Sequence, residues 1–328
     1  MAGVLRIHFT ERDFRHVQLA RSADPIWEAI LGLHVLTGPR HRLPRHLGTW
    51  RRRAAERLGS ARLRAACRLL NDLAPADAPY FPDFLTPAES EEGMSAALST
   101  LRATSDARLA RELREAARHR ALPRWTGQLA SGDRELLGRV ADALLRVHTE
   151  LVAPDWSRVA ATVAADAERR AVALEGGLVA LLAGLPPFVW RDPVLTAPYP
   201  VDFDLRLRGR GLRLIPSFFC HTTPIAVADP ALPPVVVYPV SREPPTPPAA
   251  GRQAPALAAL LGASRARVLG ALTVASTTGS VAAGLGLSAS SVSGHLKVLR
   301  AAGLVESRRD GARVTHRLTS RGHHLLGH

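Results

Sequence analysis

Small polar side chains recur at helical spacing near the C-terminus, around the only lysine of the chain. On a helical wheel of residues 288–302, one narrow sector holds the apolar side chains Val292, Leu296 and Leu299. The opposite sector and its flank hold Ser290, Ser293, Gly294, Lys297 and Ala301. Because no bulky side chain stands on it, this face can enter the major groove of DNA and approach the base edges. The alternative interpretation is an ordinary amphipathic surface helix.

Three arginines surround a turn signal a few residues further on. Asp310-Gly311 is a dipeptide favoured in two-residue hairpin turns, and its flanks hold Arg308, Arg309 and Arg313. Guanidinium groups beside a groove-fitting helix suit contact with phosphates or insertion into a narrow minor groove. We therefore predict a basic hairpin tip that grips the DNA backbone, although a solvated charged loop would give the same pattern.

The surrounding residues predict the elements that position these groups. Caps and turns stand at suitable places: Thr277 or Thr278 before a short first helix, Gly286 at a sharp turn, Ser288 before the second helix and Gly303 at its end. Residues 304–309 and 312–318 then alternate like two strands around Asp310-Gly311. The order helix, turn, helix and two-stranded ribbon predicts a winged helix-turn-helix.

This segment resembles the winged helix of the ArsR/SmtB group of bacterial repressors. The likeness covers about residues 256–322 and is carried by the run LGLSASSVSGHLKVLRAAGLVESRRDGARVTHRLT. The resemblance implies a homodimer that binds operator DNA and changes its grip when an effector binds. Residues 288–302 are then expected in the major groove, with serines near the bases and the lysine near phosphate. The predicted DNA-contacting residues are Ser288, Ser290, Ser291, Ser293, Lys297, Arg308, Arg309 and Arg313.

The resemblance does not extend to the metal sites of that group. Its metal-sensing members carry a Cys-x-Cys pair at the start of the first helix of the motif, and the matching positions here are Thr277 and Gly279. Other members bind metal on a long C-terminal helix, for which this chain offers His324 and His328. Two histidines at a terminus more often bind nothing, so we predict no metal site and no cofactor.

Positive charge concentrates in the same region. The formal net charge is +14, and because 42 of the 43 cationic residues are Arg, the base composition of the gene could account for part of it. Residues 252–328, however, hold ten cationic and two acidic residues, a net charge of +8. This concentration is the footprint expected of a DNA-binding segment. The same residues contain no Phe, Tyr or Trp, which argues against RNA binding through base stacking.

Cysteine content and apolar runs bear on the cellular location. Cys67 and Cys220 are the only cysteines and predict no disulfide framework, which fits an intracellular protein. The first residues lack the apolar core of a signal peptide, and the longest apolar run, residues 178–189, is interrupted by Pro186-Pro187. We expect a cytoplasmic protein without a membrane partner.

The chain before residue 185 is predominantly helical in pattern. Asp24-Pro25 is a strong helix start, and residues 40–68 read as two amphipathic helices with ten Arg against one Glu. Their basic side is predicted to be a solvated face, because the acidic excess of residues 71–115 could pair with it; a second nucleic-acid contact is the alternative. The aromatic loop 80–87 predicts core packing, with the wall of a small-molecule pocket as the alternative.

Alternation typical of strands replaces helical spacing after residue 185. Residues 201–219 alternate on both sides of Gly209-Arg210-Gly211, which predicts a hairpin, and residues 223–228 and 235–240 add two strand-like runs. We expect a small antiparallel sheet that packs on the helices. Residues 241–253 are rich in proline and lack periodicity, which predicts a semi-rigid linker.

These patterns together predict a mainly α protein with a small antiparallel β component. The predicted domains are a helical sensor or dimerisation domain (1–240) with a β-hairpin region (185–240), a Pro-rich linker (241–254) and a winged helix-turn-helix (255–328). The first 240 residues also resemble, through LRIHFT, YFPDFLTP and GRGLRLIPSFF, the helical domain that precedes winged helices in some actinobacterial ArsR-like regulators. That resemblance implies no known ligand.

We predict a transcriptional regulator that binds double-stranded DNA, a homodimeric repressor with an unknown small-molecule effector at its N-terminal domain. Catalysis is not expected, because the sequence lacks a Gly-rich phosphate loop, His-Glu-x-x-His, Cys-x-x-Cys and Gly-x-Ser-x-Gly. Asp202 with Asp204 is explained by alternation on a solvated strand face, and adjacent Cys220 and His221 would point apart in a strand. The main alternative is a ligand-binding or enzymatic N-terminal domain whose winged helix contacts another protein.

Overall fold

The computed structural model of the protein describes residues 3–39, 43–221, 223–241, 261–272, 276–310 and 313–325. The chain divides into two compact units, Met1–Arg242 and Glu243–His328, called here the N-terminal and the C-terminal unit. Helices hold 55% of the described residues and strands 16%, so the predicted mainly α class with a small β component is confirmed. None of the helices in the described part of the chain combines the length and the hydropathy needed to cross a bilayer.

Helices form most of the N-terminal unit. They are α1 (Pro25–Thr37), α2 (Arg45–Arg57), α3 (Ala61–Leu73), α4 (Met94–Arg102), α5 (Asp106–His119), α6 (Thr126–Ala130), α7 (Arg134–Val147), α8 (Trp156–Glu175) and α9 (Leu178–Ala183). Local sequence explains where several of them begin. The predicted start of α1 is confirmed, because the Asp24 carboxylate accepts hydrogen bonds from the backbone N–H groups of Ile26 and Trp27. Ser60 and Ser105 cap α3 and α5 in the same way.

The basic stretch after α1 forms two amphipathic helices, as predicted. Leu47 and Trp50 of α2 are fully buried, so one side of this Arg-rich helix belongs to the core. At the border of this buried side, the half-buried Arg53 and Arg57 bind the Asp155 carboxylate at 2.9 and 3.0 Å. These two arginines therefore find their acidic partner beyond the residues 71–115 expected to supply it.

Strands of the N-terminal unit build two four-stranded sheets. They are β1 (Gly3–His8), β2 (Val17–Leu19), β3 (Val189–Arg191), β4 (Val194–Tyr199), β5 (Phe203–Arg206), β6 (Leu212–Ser217), β7 (Ile225–Ala226) and β8 (Val235–Pro239). The strand orders are β3-β4-β1-β5 and β2-β6-β8-β7. Both sheets are mixed. In the first, β1 is antiparallel to β4 but parallel to β5; in the second, β6 is parallel to β2 and β8, whereas β7 is antiparallel to β8. The expected antiparallel pairing thus accounts for only part of the sheets.

The hairpin predicted around Gly209-Arg210-Gly211 is wrong. The strands on either side of it, β5 and β6, belong to different sheets, and the consecutive strands that pair antiparallel in this region are β3 with β4 and β7 with β8. The N-terminal segment decides this: β1 pairs with β5, β2 pairs with β6, and the Asp13 carboxylate accepts the N–H of Gly211 at 2.9 Å. A Cβ at Gly211 would stand 2.1 Å from the carbonyl oxygen of His16, so only glycine permits this close approach.

A buried ionic cluster joins α8 to the end of β8. Asp166 is fully buried, and its carboxylate accepts hydrogen bonds from the Tyr238 hydroxyl at 3.0 Å and the Ser241 N–H at 3.1 Å. Arg169 and Arg170 both donate to the same carboxylate. Ser241, the first residue of the predicted linker, is therefore held against α8; residues 242–254 of the linker lie outside the described residues.

The C-terminal unit is a small α/β assembly. Its elements are α10 (Ala263–Gly270), β9 (Ser276–Thr277), α11 (Thr278–Leu285), α12 (Ala289–Ala301), β10 (Val305–Asp310), β11 (Arg313–Leu318) and α13 (Ser320–Leu325). The strands form one antiparallel sheet in the order β10-β11-β9. Its core is entirely aliphatic and gathers one side of each helix against the sheet: Val268, Leu269, Leu272, Val281, Ala282, Val292, Leu296, Leu299, Val305 and Leu318.

Candidate nucleic-acid interface

Helix α12 is fixed in the C-terminal unit by its cap and by one apolar side. Ser288 is the N-cap, and its Oγ accepts a hydrogen bond from the N–H of Ser291 at 3.1 Å. Val292, Leu296 and Leu299 are at most 1% exposed and hold the helix against the core. The predicted cap and the predicted inward sector of this helix are both confirmed.

The opposite side of α12 is open to solvent. Its exposed residues include four of the predicted DNA contacts and the glycine between them: Ser290, Ser291, Ser293, Gly294 and Lys297. A hydroxyl cluster marks its N-terminal end, where Ser288 Oγ lies 2.9 Å from Ser290 Oγ and donates to Ser291 Oγ at 2.8 Å. Short side chains around a helix N-terminus leave its N–H groups and partial positive charge accessible, an arrangement that suits a phosphate.

Glycine and threonine residues set the path of the chain around α12. The Oγ1 of Thr277 accepts the N–H of Ser280, which makes Thr277 the cap of α11, as predicted. Gly286 between the helices and Gly303 after α12 have φ of +65° and +71°, a left-handed conformation that glycine adopts without strain. The Oγ1 of Thr319 donates to the carbonyl of Gly303 at 2.6 Å, which ties the end of the sheet to the end of α12.

The three wing arginines lie on the paired strands β10 and β11. Arg308 is opposite Thr315, Arg309 is opposite Val314, and Arg313 is opposite Asp310. Asp310 is thus a strand residue, not part of the turn as predicted, and the two connecting residues, 311 and 312, lie outside the described residues. The register is set further inside the unit, where Ser307 is opposite the buried His316 and bonds to it.

A buried histidine, which was not among the predicted functional residues, connects the wing to the first helix of the motif. The ring of His316, 5% exposed, lies with Nδ1 2.7 Å from Ser307 Oγ of β10 and Nε2 2.9 Å from Thr278 Oγ1 of α11. A neutral imidazole has one donor and one acceptor nitrogen, and hydroxyl groups can satisfy both. The one available signal was its place in an alternating strand, on the same face as the buried Leu318.

Burial lowers the pKa of His316 below its usual 6.5, and the positive charge of Arg300 lowers it further. The ring is therefore held in its neutral form at neutral pH. The wing is thus attached to the helices through an uncharged group, while the charged side chains that the structure describes in this unit are exposed.

Several basic side chains of this unit already have partners within it. Arg267 donates to the carbonyl of Leu285 at 2.9 Å, Arg300 reaches the Oγ of Ser307, and Arg317 pairs with Glu306. Lys297 occupies the middle of the open face of α12. Its ammonium is carried on a flexible four-carbon chain, which suits contact with a phosphate.

Val298 is an apolar residue on the open flank of α12, and sequence reasoning missed it. Its side chain is 47% exposed, next to Lys297 and one helical turn and a half after Ser293. The helical wheel could have identified it, since position 298 falls outside the sector of Val292, Leu296 and Leu299. An exposed branched methyl group beside a groove-fitting face can contact the methyl group of thymine.

The other histidines and the metal-sensor positions are distributed as follows. His295 is half-buried beside the core sector of α12, and Thr277 and Gly279 stand at the beginning of α11. The side chain of His324 and all of His328 lie outside the described part of the chain. Within the described part, no three His, Cys, Asp or Glu residues come close enough to hold a metal ion together.

Comparison with known proteins agrees with this geometry over part of the chain. The model of a protein family described as a helix-turn-helix domain matches residues 260–308, which include α10, α11 and α12. No curated protein and no solved structure matches the chain. The C-terminal unit therefore contains a helix-turn-helix domain, a fold whose usual partner is DNA.

Proposed function

We propose that this chain is a transcriptional regulator that binds double-stranded DNA as a homodimer and represses its target genes. Helix α12 would lie in the major groove, with Ser290, Ser291 and Ser293 near base edges and Lys297 at a phosphate. The wing arginines Arg308, Arg309 and Arg313 would contact the adjacent backbone or the minor groove. The proposal involves no catalytic step.

The observation that carries this proposal is the division of α12 into two sides. One side is buried in the aliphatic core, and the other is exposed and consists of short polar residues around one lysine. A helix of 13 residues is about 20 Å long, enough to follow a major groove across a half-site. The local net charge of +8 over residues 252–328 adds the electrostatic attraction that DNA binding requires.

The side chains on the exposed side of α12 also limit how the protein could distinguish one DNA sequence from another. Serine hydroxyls and one lysine offer few of the bidentate hydrogen bonds by which Arg, Asn and Gln distinguish bases. Val298 adds an apolar contact suited to a thymine methyl group. We therefore infer that specificity depends partly on thymine methyl groups and partly on the shape and deformability of the DNA.

The homodimer and the repressor role follow from the resemblance to ArsR/SmtB repressors. A two-fold symmetric dimer would require two inverted half-sites about one helical turn, or a multiple of it, apart. When α12 binds DNA upstream of a gene, the protein would exclude RNA polymerase from that site. An effector bound to the N-terminal unit would modulate the affinity for DNA.

The test is binding of the purified protein to a fluorescent duplex taken from upstream of its own gene, at two salt concentrations. An unrelated duplex of the same length serves as the control. The proposal requires tighter, salt-dependent binding to the upstream duplex. Equal, weak binding to both duplexes would contradict it and favour a winged helix that contacts another protein.

Variants of Lys297 make the test specific to the proposed face. Lys297→Ala should weaken binding to every sequence alike and reduce the slope of log K against log salt by about one. Lys297→Arg keeps the charge and should retain the wild-type slope. An unchanged slope in Lys297→Ala would exclude this residue from the phosphate contacts.

A further inference from the structure

A cavity of about 1080 Å³ lies within the N-terminal unit. Its walls come from four parts of the fold: α1, the loop 76–83, the outer side of α5, and the segments that follow β4 and β6. A volume of this size accommodates a drug-sized molecule. The aromatic loop at residues 80–87 has both of the roles considered for it, core packing and the wall of a pocket. Phe84 is fully buried in the core, whereas Tyr80 and Phe81 line the cavity.

The lining is largely apolar and contains many rings. Phe81 meets the rings of Trp27 and His34 edge-on, with centroids 6.1 and 5.9 Å apart. On the opposite part of the lining, Tyr199 stacks on Phe203 at 6.1 Å. Aromatic faces carry a partial negative charge and attract cations, and their area also binds apolar groups.

Carboxylates dominate the charged part of the lining. The acidic residues that line the cavity are Asp77, Asp83, Glu112, Glu115, Asp202 and Asp229. Among the lining residues that the structure describes, Arg111 is the one basic side chain apart from histidines, and it pairs with Asp229. Arginines outside the lining pair with three more of these carboxylates, Arg6 with Asp202, Arg108 with Glu112 and Arg118 with Glu115. The excess of negative charge in the described lining therefore rests on Asp77 and Asp83, and it repels anions and attracts cations.

The histidines of the lining add hydrogen-bond acceptors. His34 donates from Nε2 to the carbonyl of Ala74 at 2.9 Å, and His221 donates from Nδ1 to the carbonyl of Phe219 at 3.0 Å. In a neutral ring the second nitrogen is then an acceptor. Burial lowers the pKa of His34 to about 4, so this ring carries no charge at neutral pH that would oppose a cation.

We propose that this cavity binds an organic cation with an apolar, aromatic-sized body, such as a lipophilic amine or a quaternary phosphonium or ammonium ion. The rings hold the apolar body and the carboxylates balance the charge. Binding itself is argued from the N-terminal unit alone; only the role of this ligand as an effector of DNA binding rests on the proposed function.

The test uses two probes of the same shape and opposite charge, tetraphenylphosphonium and tetraphenylborate. Each is titrated into the full-length protein by calorimetry without DNA, so that a failure of the regulatory proposal leaves the result interpretable. Burial raises the pKa of Asp83 to about 7, and pH 8 therefore keeps this carboxylate charged during the titration. The phosphonium should bind one molecule per chain, at least about tenfold more tightly than the borate. Equal or tighter binding of the borate, or no binding of the phosphonium, would overturn the proposal.

Variants locate the bound phosphonium. Ala78→Trp adds a large ring to the lining and should abolish binding, whereas Glu115→Gln removes one partly exposed charge and should weaken it by about two- to fivefold. Glu135→Gln makes the same change on the exposed surface of α7, away from the lining, and should leave affinity unchanged. Circular dichroism verifies that each variant is folded. Undiminished phosphonium binding by a folded Ala78→Trp variant would show that the cation binds elsewhere and would refute the proposed site.

Discussion

The two units of the chain bury different kinds of group. The N-terminal unit encloses ionisable side chains, among them Asp24, Glu28, Asp83, Glu112, Asp166 and Arg170. In the described part of the C-terminal unit, the buried polar residue is His316, held neutral in an aliphatic core. The N-terminal unit thus depends on buried ionisable groups that each take part in a hydrogen bond or an ion pair, whereas the C-terminal unit depends on a few apolar contacts.

This difference suits the two proposed roles. A unit that encloses a cavity can position carboxylates only if each is held by neighbouring donors, as Glu28 is by the N–H groups of Phe218 and Phe219. A unit that contacts DNA needs its charges at the surface and a compact core behind them. All five tryptophans of the chain also lie before residue 243, so their fluorescence reports on the N-terminal unit alone.

The largest expected effect comes from breaking the Asp166 cluster. Asp166→Ala leaves the buried Arg170 without its carboxylate and removes the acceptor of the Tyr238 hydroxyl. We expect a loss of about 3–5 kcal/mol in the free energy of unfolding of the N-terminal unit, measured by urea titration with tryptophan fluorescence. Glu168→Ala, an exposed change on the same helix, is the control and should stay within about 0.5 kcal/mol of the wild type. A similarly small effect of Asp166→Ala would show that the cluster does not stabilise this unit.

The second prediction concerns the small core of the C-terminal unit. Leu296→Ala removes a fully packed side chain from a core of ten buried residues and should cost about 2–5 kcal/mol there. Amide hydrogen exchange of peptides from α12 should accelerate, while the fluorescence transition of the N-terminal unit stays unchanged. Val298→Ala, on the exposed side of the same helix, should leave the exchange as in the wild type. A parallel shift of the fluorescence transition in Leu296→Ala would mean that the two units do not unfold independently.

The smallest expected effect is a pH dependence of the C-terminal unit. Because the pKa of His316 is lower in the folded than in the unfolded chain, the unfolded state binds the proton more readily. The stability of this unit should therefore decrease as the pH falls below about 6.5, the ordinary histidine value. Hydrogen exchange of the C-terminal peptides, corrected for the intrinsic effect of pH, measures this decrease. In His316→Asn the loss of stability with falling pH should be smaller than in the wild type. An equal loss in the variant and the wild type would show that groups other than His316 cause it.

The parts of the fold that the sequence predicted are those that neighbouring residues control. The start of α1 at Asp24-Pro25, the cap at Ser288 and the inward sector of α12 each depend on residues a few positions apart, and the structure agrees with them. The hairpin at Gly209-Arg210-Gly211 failed because alternation marks a strand without naming its partner. The partners were β1 and β2, about 200 residues earlier in the chain.

The candidate interface also has some features that neighbouring residues control and others that depend on distant residues. The open face around Ser290, Ser293 and Lys297 follows from the phase of a single helix, which the sequence contains in full. The linkage of His316 to Ser307 and Thr278 joins three separate elements, and no local pattern indicates it. The acidic, ring-lined cavity likewise has no local pattern that indicates it, since its lining residues come from positions 27 to 230.

The sequence by itself determined the helix-turn-helix, the concentration of positive charge in residues 252–328 and the predominance of helix. The charge is a matter of composition, and the helices begin, end and orient according to caps and periodicities within one or two turns of chain. Tertiary structure decided the strand partners, the acidic partner of Arg53 and Arg57, and the cavity. Each of these is a contact between segments far apart in sequence, which forms only when the whole unit packs its core around them.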